Sequence, residues 1–81
     1  MQRIGSVVII IKQREQSAPN INTILSEFSD MILARVGLPF KEKDIHIINL
    51  IVNGTTDEIG ALTGKIGNLP GVTVKSILAK D

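Results

Sequence analysis

Hydrophobic residues form two near-continuous runs of strand length in the first two thirds of the chain. They cover Arg3–Lys12 and Ile45–Asn53, and the turn-forming pair Asn53-Gly54 ends the second. Short apolar runs rich in β-branched residues are typical of strands. The stretch Val72–Leu78 has the same β-branched character and predicts a last strand.

Two other stretches repeat hydrophobic residues at helical spacing. In the first, the positions i, i+3, i+4 and i+7 are occupied by Ile21, Ile24, Leu25 and Phe28. Ser17 lies just ahead of Pro19, which is the pairing of an N-cap with a first helical turn. The pattern therefore predicts a helix from about Ala18 to about Ser29, preceded by the polar connector Gln13–Gln16.

The second helical stretch begins at a recognisable capping pattern. Thr55 and Glu58 are spaced as in a capping box, and Asp57 and Glu58 both favour the positive end of a helix dipole. These acids are interpreted as helix-start residues rather than as a catalytic carboxylate pair. The apolar stripe that follows consists of Ile59, Leu62, Ile66 and Leu69.

The segment Met31–Leu38 is ambiguous by pattern, because it can prolong the first helix or form another strand. We favour an edge strand, since Gly37 and Pro39 punctuate it and proline is tolerated at a sheet edge. The charged residues Lys41–Asp44 then form a hairpin tip.

The resulting order is βαββαβ, the ferredoxin-like, split βαβ arrangement of the α+β class. We predict one domain over residues 1–81, with a four-stranded antiparallel sheet and both helices on one face, because crossovers are right-handed. The first and third strands are then the central pair.

Alternation along these central strands places apolar residues on both faces, although the helices cover only one. The uncovered face would expose more contiguous apolar surface than a soluble monomer usually does, so we expect a homo-oligomer, either a dimer or a tetramer. The predicted interface consists of Ile4, Val8, Ile10, Ile45, Ile47, Asn49 and Ile51.

Composition narrows the function classes. The 81 residues contain 9 basic and 8 acidic side chains, for a net charge of +1, and 43% are hydrophobic. A net charge this small does not predict a basic surface for binding nucleic acid or an anionic membrane. The apolar stretches do not fit the pattern of a signal peptide or a membrane span. We therefore expect a cytoplasmic protein that binds neither nucleic acid nor a membrane directly.

Metal and cofactor chemistry is not expected either. The chain has no Cys, and His46 is its only histidine. One imidazole cannot fill a coordination sphere, although a symmetric oligomer could bring copies of His46 together. We predict no catalytic residue, no resident metal and no cofactor.

Three glycines, Gly60, Gly64 and Gly67, fall inside the second predicted helix, where each costs about 1 kcal/mol relative to Ala. They share one flank of the helix. We interpret them as close-packing residues against the first helix or the sheet. The alternative is a close backbone approach to a neighbouring subunit or a small ligand.

The sequence resembles a specific family of small ACT-like domains, the iron-only hydrogenase system regulators. The resemblance covers nearly the whole chain and is most distinctive at the glycine-rich stretch 53–65. It extends to Ile24-Leu25-Ser26-Glu27, to Gly37-Leu38-Pro39-Phe40 and to residues 69–76. It implies an ACT-like fold and a role in a hydrogenase system.

The family is similar in topology to ACT domains, which bind small effectors at subunit interfaces, and to the regulatory domain of the nickel-responsive repressor. That repressor binds metal through a His-rich second strand and a Cys at the start of the third. Here the matching positions offer Leu38 and Phe40, with His46 near the Cys position. The departure argues against nickel sensing.

We therefore predict a non-enzymatic regulatory domain that responds to a small effector. The alternative is a structural oligomerisation module without an effector. The effector site is predicted at the connector between the first strand and the first helix, where free backbone N–H groups can hold an anion. Arg14 would grip the anion, with Ser17 and Asn20 as neighbouring polar contacts.

Overall fold

The computed structural model describes residues 1–12 and 14–80, with residues 14–18 described only in their backbone. The strands and α-helices in chain order are β1 (Arg3–Lys12), α1 (Arg14–Glu27), β2 (Ile32–Phe40), β3 (Ile45–Gly54), α2 (Thr56–Gly67) and β4 (Val72–Leu78). Short 3-10 helices at Ser29–Met31 and Lys41–Lys43 precede and follow β2. The strands form an antiparallel sheet in the order β2-β3-β1-β4. The predicted ferredoxin-like α+β fold is confirmed, including the strand at the ambiguous segment.

The hydrophobic core lies between the helices and one face of the sheet. Alternate residues of the two central strands point into it, because side chains along a strand alternate between faces. These are Val7, Ile9 and Ile11 from β1 and Ile48, Leu50 and Val52 from β3, all at most 1% exposed. The helices contribute Ile21, Leu25, Ile59, Leu62 and Ile66.

The predicted start of the first helix is wrong. Helix α1 begins at Arg14 rather than at Ala18, so the expected connector up to Ser17 is helical. Pro19 consequently lies inside the helix and not in its first turn. The prediction relied on the preference of proline for the first turn, where its missing N–H costs nothing, and that preference does not hold here.

Close backbone approaches connect β4 and its preceding turn to β1. Gly71 has φ +72° and a Cβ there would lie 2.7 Å from the carbonyl oxygen of Lys12. The Lys12 amide donates a 2.8 Å hydrogen bond to the Gly71 carbonyl. A side chain at Gly5 would lie 2.7 Å from the Ile77 carbonyl oxygen. Both positions therefore need glycine for the edge strand to close against β1.

The start of α2 carries the predicted capping box. The Thr55 hydroxyl accepts a 3.0 Å hydrogen bond from the Glu58 amide, and the Glu58 carboxylate accepts a 2.9 Å bond from the Thr55 amide. These hydrogen bonds hold the pKa of Glu58 below its ordinary value. The two acids thus serve the helix terminus, as the sequence predicts.

Candidate functional site

The uncovered side of the sheet is a broad apolar surface, which we call the open face. Its members from the central strands are Ile4, Ser6, Val8 and Ile10 of β1 and Ile45, Ile47, Asn49 and Ile51 of β3. The strand register adds partners from both edge strands, because paired residues share a face. These are Ala34, Val36, Leu38 and Phe40 of β2 and Thr73, Lys75 and Ile77 of β4.

Several large side chains of the open face are strongly exposed. Val36 is 65% exposed, Leu38 57% and Ile77 74%, while Ile4 and Ile51 are 48% and 41% exposed. The edge strands therefore enlarge the apolar surface that the central strands predict. Contiguous apolar surface on this scale marks an interaction site in a small protein.

The predicted effector residues lie along α1. Arg14 and Ser17 belong to its first turns, but their side chains lie outside the described residues. Asn20 is exposed on the same helix. The proposed contact of these three residues with an effector therefore stays a prediction.

The three glycines of α2 have different surroundings. A Cβ at Gly67 would lie 3.2 Å from Val74 Cγ1, so this glycine does pack closely against β4. Among the atoms that the structure describes, a Cβ at Gly60 or at Gly64 would meet nothing within 4 Å. The close packing predicted for these two glycines is therefore not found there, and both lie on an exposed flank of α2.

His46 lies on the helix side of the sheet, half-buried near the β2–β3 hairpin. Its Nε2 would be 3.2 Å from a Cβ at Gly37, so the small residue leaves room for the imidazole ring. Among the side chains that the structure describes, no three His, Cys, Asp or Glu groups gather as a metal site would require.

A groove that the sequence did not predict runs between the C-terminal end of α1 and β2. It has a volume of about 260 Å³, and it is lined by Leu25, Ser26, Ser29, Ile32 and Arg35. Arg35 Nη2 donates a 3.2 Å hydrogen bond to Asn22 Oδ1, which joins β2 to α1. One signal was present in the sequence, since Arg35 is the single charged residue of the β2 segment ILARVGLPF.

The same end of α1 is joined to α2 by an ion pair. Lys65 Nζ of α2 lies 3.0 Å from Glu27 Oε2 of α1 and 5.6 Å from the centre of the Phe28 ring. Both side chains of the ion pair are about half exposed, so the pair contributes at most about 1 kcal/mol. Its role in the groove is indirect, because it directs the Glu27 carboxylate toward α2.

Comparison with protein-family profiles identifies the family to which the chain belongs. The profile of the TM1266-like family, described as "Iron-only hydrogenase system regulator, putative", matches residues 3–76. The chain belongs to this family. No curated protein matches the sequence.

Solved structures agree with this regulator family and with the ACT-like fold. An uncharacterised protein from Thermotoga maritima, TM1266, is 39% identical, with a TM-score of 0.95 over 99% of this chain and 100% of that one. The ACT domain of GTP pyrophosphokinase from Chlorobium tepidum is 22% identical, with a TM-score of 0.78 over 95% and 100% of the two chains. At that identity the second likeness shows the fold alone.

A larger enzyme contains a similar unit. A homoserine dehydrogenase from Thiobacillus denitrificans is 25% identical with a TM-score of 0.66, and the match covers all of this chain but 18% of that one. The similarity therefore concerns a small part of that enzyme. In the part of the present chain that the structure describes, no helix is long and apolar enough to cross a membrane.

Proposed function

We propose that this regulator-family chain is a non-enzymatic, cytoplasmic regulatory domain of an iron-only hydrogenase system, and that it works as a homo-oligomer through its open face. The family description and the ACT-like fold support the regulatory role. The exposed apolar side chains of the open face carry the oligomer proposal. No direct contact with nucleic acid or membrane is part of it.

A second copy of the chain is the occupant that fits the open face best. The face is apolar along β1, β2 and β3 apart from Ser6 and Asn49, and β4 adds Ile77 beside the polar residues Thr73 and Lys75. A symmetric pair of such faces is self-complementary, because each copy offers apolar surface to the other. In a dimer, the open faces of the two copies would pack against each other. A tetramer would require a second interface elsewhere on the molecule.

Substitution at the centre of the face tests this assembly. Ile47 pairs with Ile10 on one side and with Leu38 on the other, so Ile47→Lys would bury an unpaired charge in the interface. We expect wild type to sediment as a dimer or tetramer at micromolar concentration and Ile47→Lys to sediment as a monomer. Ala61→Lys is the control, because it adds the same charge on the exposed side of α2.

Retention of the wild-type mass by Ile47→Lys, with loss of assembly in Ala61→Lys, would move the interface to the helices. A wild-type protein that stays monomeric throughout would remove the oligomer proposal altogether. Circular dichroism of each variant separates loss of assembly from loss of folding.

We place the effector of the proposed regulator at Arg14, Ser17 and Asn20, near the start of α1. The support is the ACT-like resemblance together with the anion preference of a helix N-terminus. Arg14→Ala should leave the melting temperature of the free protein nearly unchanged and remove the effector-induced rise. An unchanged rise in this variant would exclude the site.

A structural oligomerisation module is the second candidate, because the open face by itself accounts for assembly without an effector. Thermal-shift screening of amino acids, nucleotides and divalent metals distinguishes the two, since a ligand of the folded state raises its stability. Stabilisation by one compound class favours the effector-responsive regulator. No stabilisation across the screen favours the structural module.

A further inference from the structure

The groove between α1 and β2 combines an apolar floor with polar walls. Leu25 is only 4% exposed and belongs to the core, and Ile32 packs against the same core. Ser26 and Ser29 add two exposed hydroxyl groups beside them. A concave site with an apolar base and a few convergent polar groups is the usual form of a small-molecule site.

The groove carries one positive charge. Arg35 is the charged member of the five lining residues. The hydrogen bond to Asn22 Oδ1 uses one of its guanidinium donors and holds the side chain against α1. A guanidinium has five N–H donors, so a pair remains for a planar bidentate acceptor.

Among the side chains that the structure describes, the acidic groups on the neighbouring turns do not neutralise this charge. The Glu27 carboxylate is paired with Lys65 on α2, and Asp30 is exposed and does not line the groove. One uncompensated guanidinium balances one negative charge, which favours a monoanion over a phosphate dianion.

We propose that this groove binds a small monocarboxylate that has a short apolar tail and no amino group. The carboxylate pairs with the Arg35 guanidinium and accepts hydrogen bonds from the Ser26 and Ser29 hydroxyls, and the tail lies on Leu25 and Ile32. A volume of about 260 Å³ is below the ordinary 300–1,000 Å³ of ligand pockets, which restricts the ligand to a small molecule. An amino group is disfavoured because no carboxylate is found among the groove-lining residues that the structure describes.

This site is separate from both features of the proposed function. Arg35 pairs with Leu50, whose side chain is buried on the helix side, so the groove lies on the opposite side of the sheet from the open face. Ser26 is in the last turn of α1 and Ser29 follows two residues after its end, so both are roughly 20 Å along the chain direction from Arg14. Binding at the groove therefore stands or fails independently of assembly and of the Arg14 site.

A titration of the ¹⁵N-labelled full chain with 4-methylpentanoate tests the proposal by two-dimensional NMR. We expect saturable shifts concentrated at the amides of Ser26, Ser29, Ile32 and Arg35. Leucine has the same carbon skeleton with an added ammonium, and 4-methylpentanamide is the uncharged analogue. Both should bind at least about tenfold more weakly, and so should inorganic phosphate.

Two variants and a control locate the site. Arg35→Gln removes the charge and should weaken 4-methylpentanoate binding about tenfold, as expected for the loss of a charge-assisted pair. Ser26→Leu fills the groove and should abolish the shifts although the guanidinium is retained. Lys43→Gln removes an exposed charge at the hairpin and should bind like wild type. The spectra themselves show whether each variant is folded.

The absence of saturable shifts at these amides, up to tens of millimolar 4-methylpentanoate, would overturn the proposal. Equal affinity in wild type and a folded Arg35→Gln would do the same. Tighter binding of leucine or of phosphate would replace the monocarboxylate with an amino acid or a dianion. None of these outcomes affects the oligomer proposal, which the sedimentation of Ile47→Lys tests separately.

Discussion

Gly60 and Gly64 are exposed residues in the interior of α2, and a methyl group at either would touch no atom in the described part of the chain. Glycine in such a position costs about 1 kcal/mol relative to Ala, through backbone entropy. We therefore expect Gly60→Ala and Gly64→Ala each to raise the free energy of unfolding by about 1 kcal/mol. In a domain of this size the melting temperature would rise by roughly 4–8 °C.

Gly67→Ala is the matched comparison for these substitutions, because its new Cβ would lie 3.2 Å from Val74 Cγ1. Its gain in helix propensity is offset by crowding, so its melting temperature should rise less or fall. If Gly60→Ala or Gly64→Ala is destabilising while the circular dichroism spectrum is unchanged, another molecule approaches the α2 backbone at that flank. This is the alternative that the sequence left open.

Residue types alone predicted some roles and missed others. Thr55 and Glu58 were predictable because a capping box depends on four consecutive residues. Arg35 was not singled out, since its groove neighbours Leu25, Ser26 and Ser29 lie outside β2. The contact of Arg35 with Asn22 spans 13 residues, and only the packing of α1 on the sheet brings these groups together.

At the level of elements, the start of α2 offers a pH-dependent test. The pKa of Glu58 is lower in the folded protein than its ordinary value, because the carboxylate accepts a hydrogen bond from the Thr55 amide. A depressed folded pKa contributes stability above the ordinary value of about 4.3, and this contribution is lost as the pH falls through the folded value. The stability difference between wild type and Glu58→Gln should therefore be constant near neutral pH and shrink below about pH 4.

The other half of the capping box gives a test at fixed pH. Thr55→Ala removes the acceptor for the Glu58 amide and should lower the free energy of unfolding by about 1 kcal/mol. Thr56→Ala is the control, because that residue is already inside the helix and exposed. Urea titration measures both variants. Equal stability of the two would mean that solvent replaces the cap without loss.

Strand positions were predictable to within a residue or two, whereas the start of α1 was not. The β-branched runs Arg3–Lys12 and Val72–Leu78 coincide with β1 and β4, because continuous apolar character is what a packed sheet requires. The four residues Arg14–Ser17 carry no apolar periodicity, so only Pro19 suggested where the helix starts. The helix begins five residues before Pro19, so the preference of proline for a first turn did not locate its start.

At the scale of the whole molecule, the sheet has one face toward the core and one toward solvent in the single chain. Ile48 and Ile47 are adjacent, identical residues on these opposite faces, and Ile48 is 1% exposed. Ile48→Ala should lower the free energy of unfolding by about 2–5 kcal/mol at every protein concentration. Ile47→Ala should cost less in dilute protein, and its cost should rise with concentration as wild type assembles.

Thermal unfolding over a hundredfold range of protein concentration measures both effects. A concentration-independent cost of Ile47→Ala would contradict assembly through the open face. An Ile48→Ala cost that grows with concentration would place an interface on the helix side instead. Circular dichroism in the far ultraviolet provides the unfolding signal for both variants.

The central position of β1 also affects how the chain is made. This strand is synthesised before the other three strands of the sheet, and its hydrogen-bonded partners run from Ile45 in β3 to Leu78 in β4. At 5–20 residues per second, the interval between the synthesis of Lys12 and that of Leu78 is roughly 3–13 s. Until β4 is made, one edge of β1 has no hydrogen-bonding neighbour, although β3 can already pair with the other edge. The sheet therefore becomes complete only after Leu78 is synthesised, and until then the unpaired edge of β1 is open to pairing with strands of other chains.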